Sequence, residues 1–215
     1  LLVTTIAGCA APSMVRLGGV SYYDRAASRV ELGGLGIRAD SGPGFHHLAS
    51  IEECGIKVPI SIDFVVREFP AAIQGFAPPK LKAIAQRYAR SKANLQKSSL
   101  VSVSLRESDL EAWLKSRPSQ QCIELIRRNL EQVRFITSVV VLAMHPSLSA
   151  PDADHANLEV TLGPKGHIIF RESGKPEPIF SIGATDAIAY QSAHICWSEP
   201  TGEKLTVRVD DPRFA

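Results

Sequence analysis

The sequence predicts an α+β fold, a twisted and mostly antiparallel sheet with helices inserted between its strands and flanking it. Every second residue is apolar over 60–66 and over 101–105, and most residues between them are polar, which is typical of strands with one buried face. Residues 135–142 form a β-branched run too continuous for a half-exposed strand, so this strand should be buried on both faces. Further strands are indicated at 158–162, 167–171, 178–182, 187–197 and 205–209.

Helices are expected between the two halves of this pattern. Residues 80–96 place Leu81, Ile84 and Tyr88 along one side of a helix. Ser108 and Glu111 are spaced as a capping box, in which Ser108 accepts a first-turn N–H and Glu111 reaches back. That helix should end before Pro118, and another should begin near Ser119. Upstream, residues 15–44 are rich in Gly and Ser and predict short strands and turns, for example around 29–32.

The composition is that of a globular protein with room for one large core. The chain has 215 residues, of which 45% are hydrophobic and 21% charged, and no apolar run approaches the length of a spanning helix. A net charge of +2 gives no support to nucleic acid as a partner. Four widely spaced cysteines form no C-x-x-C pair, which excludes a zinc ribbon or a thioredoxin-like motif and leaves the redox compartment open.

The N-terminal segment carries the first functional signal. An apolar stretch ends in Ile-Ala-Gly-Cys at residues 6–9, the pattern of a bacterial lipobox, and makes Cys9 a candidate for lipidation. The alternative is a buried, inert thiol. We therefore divide the chain into an apolar segment with a candidate lipidated cysteine (1–14), a single α+β domain (15–197) and a C-terminal tail (198–215).

Catalytic motifs are largely missing from the sequence. Residues 34–39 match a dinucleotide fingerprint formally, but Asp-Ser-Gly-Pro-Gly at 40–44 leaves no helix to bind a pyrophosphate. Metal-ligating residue types occur at two places, and we interpret them as solvated or structural: His46, His47, Asp152, Asp154 and His155. His167 and His194, expected inside strands, are assigned structural roles. We expect no enzyme, no cofactor and no metal.

A basic segment indicates function more strongly than any catalytic motif in the sequence. Residues 78–97 contain six basic residues and no acidic one, which together with the apolar side favours binding to an anionic lipid membrane. The alternative is the solvated face of a packed helix. Nucleic acid is not expected, because Tyr88 is the one aromatic residue among the charges. The predicted membrane-binding residues are Lys80, Lys82, Arg87, Arg90, Lys92 and Lys97.

The order of these elements from residue 58 to 197 resembles the pore-forming domain of the gasdermin family, in its compact bacterial form. The resemblance is carried by motifs in sequence order: Ile-Ser-Ile-Asp-Phe at 60–64, Ser-Leu-Val-Ser-Val-Ser-Leu at 99–105, Asp-Leu-Glu-Ala-Trp-Leu at 109–114, Val-Arg-Phe-Ile-Thr-Ser-Val-Val at 133–140, Asn-Leu-Glu-Val-Thr at 157–161 and Ala-Ile-Ala-Tyr-Gln-Ser-Ala-His at 187–194.

The resemblance implies a pore-forming protein of bacterial defence and cell death. Such a protein folds as an autoinhibited monomer in the cytoplasm until an activating protease removes a short inhibitory segment, here within 198–215. The freed body then moves to the inner membrane, oligomerises and rebuilds segments 58–105 and 133–197 into a pore. The family also implies palmitoylation of a cysteine near the N-terminus, for which Cys9 is the candidate.

A second hypothesis about the function, which is not a pore former, also assigns a role to Cys9. The chain would be a periplasmic, lipid-anchored bacterial lipoprotein, with Cys9 as the mature first residue followed by a β-rich binding or scaffolding domain. A third reading is an accessory subunit of a larger assembly. The first two readings place lipid on Cys9 and differ in the bond, a thioester in the pore former and a thioether in the lipoprotein.

Overall fold

The computed structural model of the chain describes residues 14–17, 19–24, 29–38, 45–55, 62–68, 99–116, 119–129, 132–143, 157–183, 186–197 and 205–209. Its strands are β1 (Met14–Leu17), β2 (Val20–Asp24), β3 (Leu35–Arg38), β4 (Phe45–Ala49), β5 (Ile62–Glu68), β6 (Ser99–Leu105), β7 (Val133–Ala143), β8 (Leu158–Leu162), β9 (Ile168–Glu172), β10 (Pro178–Ile182), β11 (Ala187–Trp197) and β12 (Leu205–Val209). Its helices are α1 (Glu107–Lys115) and α2 (Gln120–Arg128), and Pro164–Gly166 forms a single 3₁₀ turn.

Two long strands organise a nine-stranded sheet. β7 and β11 have 11 residues each and pair antiparallel, from Ala187 opposite Val141 to His194 opposite Arg134. Each is longer than its outer neighbours and therefore carries two of them. The first part of β7 pairs with β3 and the second with β6, while the first part of β11 pairs with β2 and the second with β12.

Three outer strands complete this sheet. β4 pairs with β3, β5 with β6 and β1 with β2. β2 pairs with the first part of β11, which faces the part of β7 that pairs with β6. β3 pairs with the other end of β7. The hairpins β1–β2 and β3–β4 therefore lie at diagonally opposite corners of the sheet. A second sheet has three strands in the order β10-β9-β8, and every described pairing in both sheets is antiparallel.

The core lies on both faces of the large sheet. Trp113 of α1 packs edge-on against Phe135 of β7 with ring centroids 5.3 Å apart, in a cluster that also includes Ile126 of α2 and Phe170 of β9. On the opposite face, a smaller cluster joins Val140 and Leu142 of β7 to buried residues of β1, β2, β6 and β11. The prediction that 135–142 is buried on both faces is thus confirmed.

Most of the strands expected from the sequence are present, β9 with a shift of one residue. The short strands and turns expected over 15–44 include β1, β2, β3 and a turn at 32–33. One local prediction was wrong. Ser108 is not a cap, because α1 begins at Glu107, and its N-cap residue Arg106 makes no side-chain capping bond. Ser119 does cap α2, accepting the N–H of Cys122 at 3.3 Å.

The described part of the chain is sheet-rich, with two α-helices beside two antiparallel sheets. The helix expected at 80–96 lies outside the described residues. None of the described helices is long and apolar enough to span a bilayer.

Candidate functional site

The site residues predicted from the sequence fall outside the described residues. These are Cys9, the candidate for lipidation, and the six basic residues predicted to bind membrane, Lys80, Lys82, Arg87, Arg90, Lys92 and Lys97. Asp152, Asp154 and His155, interpreted as solvated, also lie outside the described residues. Their assignment to lipid, membrane or solvent therefore stays a prediction.

The described histidines lie at three different places in the fold. His46 and His47 are neighbours in β4, where His46 is exposed and His47 is partly buried. His194 lies in β11 as expected, whereas His167 is exposed and directly precedes β9. Within the described ranges, no group of three or more His, Cys, Asp or Glu residues is arranged to hold a metal ion.

Ionisable side chains, a disulfide and a cavity instead lie together at one corner of the large sheet, which we call the β4 corner. It consists of β4, the turn over residues 50–55 that follows it, and the first half of α2. The turn is closed by two backbone bonds, from Cys54 N–H to the Ser50 carbonyl at 3.1 Å and from Gly55 N–H to the Glu52 carbonyl at 3.0 Å. Gly55 has φ +72°, a left-handed conformation that glycine adopts without penalty.

Ser50 and Glu53 lock this turn reciprocally. Ser50 N–H donates to Glu53 Oε2 at 2.6 Å, and Glu53 N–H donates to Ser50 Oγ at 3.1 Å. This is the bonding pattern of a capping box, formed at the S-x-x-E of residues 50–53. The backbone N–H and the hydroxyl of Ser50 lower the pKa of Glu53, so its carboxylate is ionised at neutral pH.

A disulfide between Cys54 and Cys122 joins the turn to α2 across 68 sequence positions. Their side chains are buried, and their Cα atoms are 5.1 Å apart. Ser119, the N-cap of α2, adds a backbone bond to the Cys54 carbonyl at 3.1 Å. The turn and the helix are therefore held together both covalently and by hydrogen bonding.

A cavity of about 250 Å³ lies beside this disulfide. Its lining comes from β4, the turn and α2 and includes the polar side chains of Glu53 and Gln121: Leu48, Ala49, Glu53, Cys54, Gln121, Cys122 and Leu125. A lining that exposes more polar than apolar surface, with an ionised carboxylate and an amide, suits a small ligand, or the end of a larger one, that offers a cationic or hydrogen-bond donor group.

A buried carboxylate adjoins the corner. Glu31 has a side chain only 2% exposed, and its Oε2 lies 2.6 Å from Arg29 Nη2 and 3.8 Å from His47 Nε2. Arg29 and Glu31 form an ion pair, but its angles do not meet those of a hydrogen bond. Oε2 therefore has no hydrogen-bond partner among the described residues. A buried charge needs such a counter-ion, so Arg29 is what makes burial of Glu31 tolerable.

Backbone geometry places Glu31 in this position. Gly33, at φ +73°, donates its N–H to the Ile136 carbonyl of β7 at 2.8 Å, and Ile136 N–H returns a bond to Gly34 at 3.0 Å. Gly166, in the 3₁₀ turn before β9, packs directly on the Glu31 side chain and leaves no room for a Cβ. The second sheet therefore covers the carboxylate.

His47 connects the buried carboxylate with the corner. Burial lowers the pKa of His47, and the Arg29 charge lowers it further, while Glu31 and Glu53 oppose this shift. The imidazole is therefore neutral at neutral pH, and its buried Nδ1 has no hydrogen-bond partner among the described residues. A neutral imidazole between two carboxylates can accept a proton when the pH falls.

The glycines of the formal dinucleotide match have a packing role. β3 begins at Leu35, and the next described element is strand β4, its partner in a hairpin. A Cβ at Gly36 would overlap the Phe45 ring and the His46 carbonyl, so glycine allows β4 to approach closely. Gly34 is tight against the Glu31 carbonyl.

Comparisons with known proteins add no relative. A scan against protein-family models and a search of curated proteins found no match to this chain. The resemblance to gasdermins therefore stays a prediction that rests on the sequence motifs.

Sequence reasoning missed three features of the corner. Ser50 and Glu53 had a visible signal, since their spacing equals that of Ser108 and Glu111. The pairing of Cys54 with Cys122 and the burial of Glu31 had none, because both depend on contacts between segments far apart in the chain.

Proposed function

We propose that this protein is a lipid-anchored extracytoplasmic domain, attached through Cys9, that binds or scaffolds a partner at a membrane surface. The observation that carries the proposal is the buried disulfide between Cys54 and Cys122. Structural disulfides persist in oxidising compartments such as the periplasm and are rare in the reducing cytoplasm. Together with the lipobox pattern at 6–9, this favours the lipoprotein over the cytoplasmic pore former.

The location of the disulfide supports a binding role. It braces the β4 corner, where the cavity, the ionised Glu53 and the partly buried His47 meet. Binding sites of this kind need a rigid frame, because a preformed surface avoids the entropy cost of ordering on association. We therefore place the recognition surface at the β4 corner.

We also infer that the fold belongs to the α+β class, as the sequence predicted. Leu110 and Trp113 of α1, and Cys122 and Ile126 of α2, are buried in the main core. Helices that supply core residues are integral parts of the domain rather than decorations of an all-β fold.

The chemistry of Cys9 tests the function directly. The protein should be expressed with its native upstream sequence in a bacterial host, and its N-terminal peptide analysed by mass spectrometry before and after hydroxylamine. We expect a thioether-linked lipid that resists hydroxylamine, and a C9S variant that leaves the membrane fraction. A thioester removed by hydroxylamine, or an unmodified Cys9, would overturn the lipoprotein.

A second readout concerns the compartment. Free thiols are alkylated with a maleimide polymer in intact cells and after denaturation, and gel shifts are counted. We expect Cys54 and Cys122 to stay unlabelled until a reductant is added. Labelling of both without a reductant would show that the disulfide does not form in the cell.

The pore-forming reading is kept as a second candidate because of the pattern of β6. From Val101 to Leu105 its residues alternate, with Val101, Val103 and Leu105 in the main core and Ser102 and Ser104 on the other face. Such amphipathic strands are what a membrane-inserting segment requires.

Liposome dye release tests this candidate. The pore former predicts leakage of anionic liposomes by protein truncated near Trp197 and none by the intact chain. The truncation also removes β12, which pairs with residues 193–197 of β11, and so changes the fold as well as the tail. Full-length protein cut by a protease within 198–204 is the matched control, because it is cleaved at the same place but folds first with β12 present. A charge-reversed variant, K80E/K82E/R87E/R90E, should lose liposome binding. No leakage from any truncation between Trp197 and Arg213 would exclude the pore.

A further inference from the structure

The cavity at the β4 corner has the size of a single side chain. Its volume of about 250 Å³ lies below the roughly 300–1,000 Å³ of pockets that enclose a drug-sized molecule. Leu48 and Ala49 of β4 and Leu125 of α2 offer aliphatic contacts, and the disulfide between Cys54 and Cys122 joins the two walls. Because this bond fixes the helix against the turn, the cavity is preformed.

Glu53 gives the cavity a negative charge. Ser50 N–H donates to Glu53 Oε2 at 2.6 Å and holds the carboxylate in place, while Oε1 is left to accept from a ligand. Within the described ranges, Ser50 is the hydrogen-bond partner of this side chain, and no lysine or arginine forms an ion pair with it. A cationic group that enters the cavity therefore meets a fixed carboxylate.

Gln121 is the second polar side chain of the lining. It lies in the first turn of α2, four residues before Leu125, so the two side chains share one side of the helix. Its amide oxygen is a second acceptor, on a different element from Glu53. A guanidinium presents several N–H groups in a planar fork and can donate to acceptors on both elements, while its aliphatic stem packs on the leucines.

We propose that this cavity receives an arginine side chain of a partner protein, with its guanidinium at Glu53 and Gln121. The inference rests on the proposed function, because it takes the β4 corner as the recognition surface. Glu53 and Gln121 are both exposed, so the head group enters at a surface that a partner would cover. Arginine is enriched among the residues that anchor protein interfaces in preformed pockets, which favours a partner's side chain over a free cation.

An NMR titration of the full chain tests the ligand chemistry. The probes are two tripeptides capped at both ends, with arginine or citrulline between two glycines, since citrulline keeps the shape of arginine and lacks its charge. We expect saturable shifts of the backbone amides of 48–54 and 120–125 with the arginine tripeptide, and much weaker binding of the citrulline tripeptide. Equal binding of both, or no saturable shifts with either, would overturn the proposal.

Butylguanidinium distinguishes the two sources of this chemistry. It carries a guanidinium on an aliphatic stem but no peptide groups. If the cavity serves a partner protein, the arginine tripeptide binds at least as tightly as butylguanidinium. Binding of butylguanidinium without binding of the tripeptide would mean that the cavity admits only a free cation, and the partner would be excluded.

Two variants locate the contact. E53Q retains an acceptor for Ser50 N–H, which preserves the turn, and should weaken binding of the arginine tripeptide roughly fivefold, as expected when an ion pair at the surface is lost. Q121K places a cation of the chain itself beside Glu53 and should block the tripeptide. The matched control is E124Q, which removes an exposed carboxylate of the same helix that is paired with Arg128 and should leave the affinity unchanged.

Either variant can contradict the proposal. Parental affinity in folded E53Q would do so, and if E53Q does not fold, parental affinity in Q121K would do the same. The titration is made in solution and does not depend on lipid. A failure to bind would remove the arginine site and leave the lipoprotein standing, whereas an unmodified Cys9 would overturn the lipoprotein and leave the arginine site.

Discussion

Cys54 and Cys122 are 68 positions apart in the chain, and a buried disulfide holds their Cα atoms 5.1 Å apart. One cysteine belongs to the turn after β4 and the other to the first turn of α2, so this bond fixes the helix against the edge of the sheet. The same two residues line the cavity, which ties the stability of the fold to the shape of the candidate site.

Removing this disulfide should destabilise the domain strongly. Closing a loop of 68 residues lowers the entropy of the unfolded chain, which corresponds to about 4 kcal/mol in the chain-entropy model. We expect C54A/C122A to lose about 2–5 kcal/mol in urea unfolding, and the parent protein to show the same loss under reductant. C196S under oxidising conditions is the control. Equal stability of the double variant and the parent would show that the bond does not constrain the fold.

Arg29 and Glu31 should respond unequally to substitution. R29A leaves the Glu31 carboxylate buried without its counter-ion and should cost about 1–3 kcal/mol. E31Q removes the buried charge and leaves an arginine that is 44% exposed and can be hydrated, so its cost should be smaller.

The double variant completes this test. In urea unfolding, R29A/E31Q should be more stable than R29A alone, because the carboxylate that lost its counter-ion is then gone. If R29A and E31Q destabilise equally and additively, the ion pair does not account for the tolerance of Glu31.

His47 should make stability depend on pH near neutrality. Since burial lowers its pKa below the ordinary value of 6.5, the unfolded chain binds a proton more readily than the folded one as the pH falls. Stability is therefore complete above about pH 7 and declines as the pH falls through 6.5 towards the folded pKa. Unfolding at a series of pH values should show this decline in the parent protein.

Variants of the two neighbouring histidines isolate this effect. H47Q should flatten the decline, while H46Q, at the exposed neighbour, should keep it. Glu53, whose pKa is lowered, acts in a different range: its contribution is present above pH 4.5 and is lost at more acidic pH. A decline near pH 6.5 that survives in H47Q would assign it to another group.

Gly166 and Gly174 allow a matched comparison of packing. Both have positive φ, +69° and +78°, so alanine strains the backbone similarly at each. At Gly166 the new methyl group also meets Glu31, whereas nothing lies within 4 Å at Gly174. We expect G166A to lose about 1–3 kcal/mol more than G174A in thermal or urea unfolding. Equal losses would mean that Glu31 moves aside freely.

Local sequence patterns predicted the strands well and the helix start less well. Alternation located β5 and β6, and the continuous run of 135–142 located a doubly buried strand, because side-chain burial follows the period of the strand. The S-x-x-E pattern occurs at Ser50 and at Ser108, but only Ser50 bonds reciprocally with its glutamate. At Ser108 the helix has already begun at Glu107, which places that hydroxyl inside the first turn.

The sequence alone thus determined where the strands from β5 onward lie, where α2 is capped and that no part of the chain resembles a zinc or redox motif, whereas it did not locate β1 to β4 individually. The tertiary structure decided which strands share the edges of β7 and β11, that Cys54 pairs with Cys122, and that Glu31 is buried beneath Gly166. The physical reason is the range of the interactions. Periodicity and capping act within a few residues, whereas partner choice, disulfide pairing and the burial of a charge depend on contacts between segments that only the folded chain brings together.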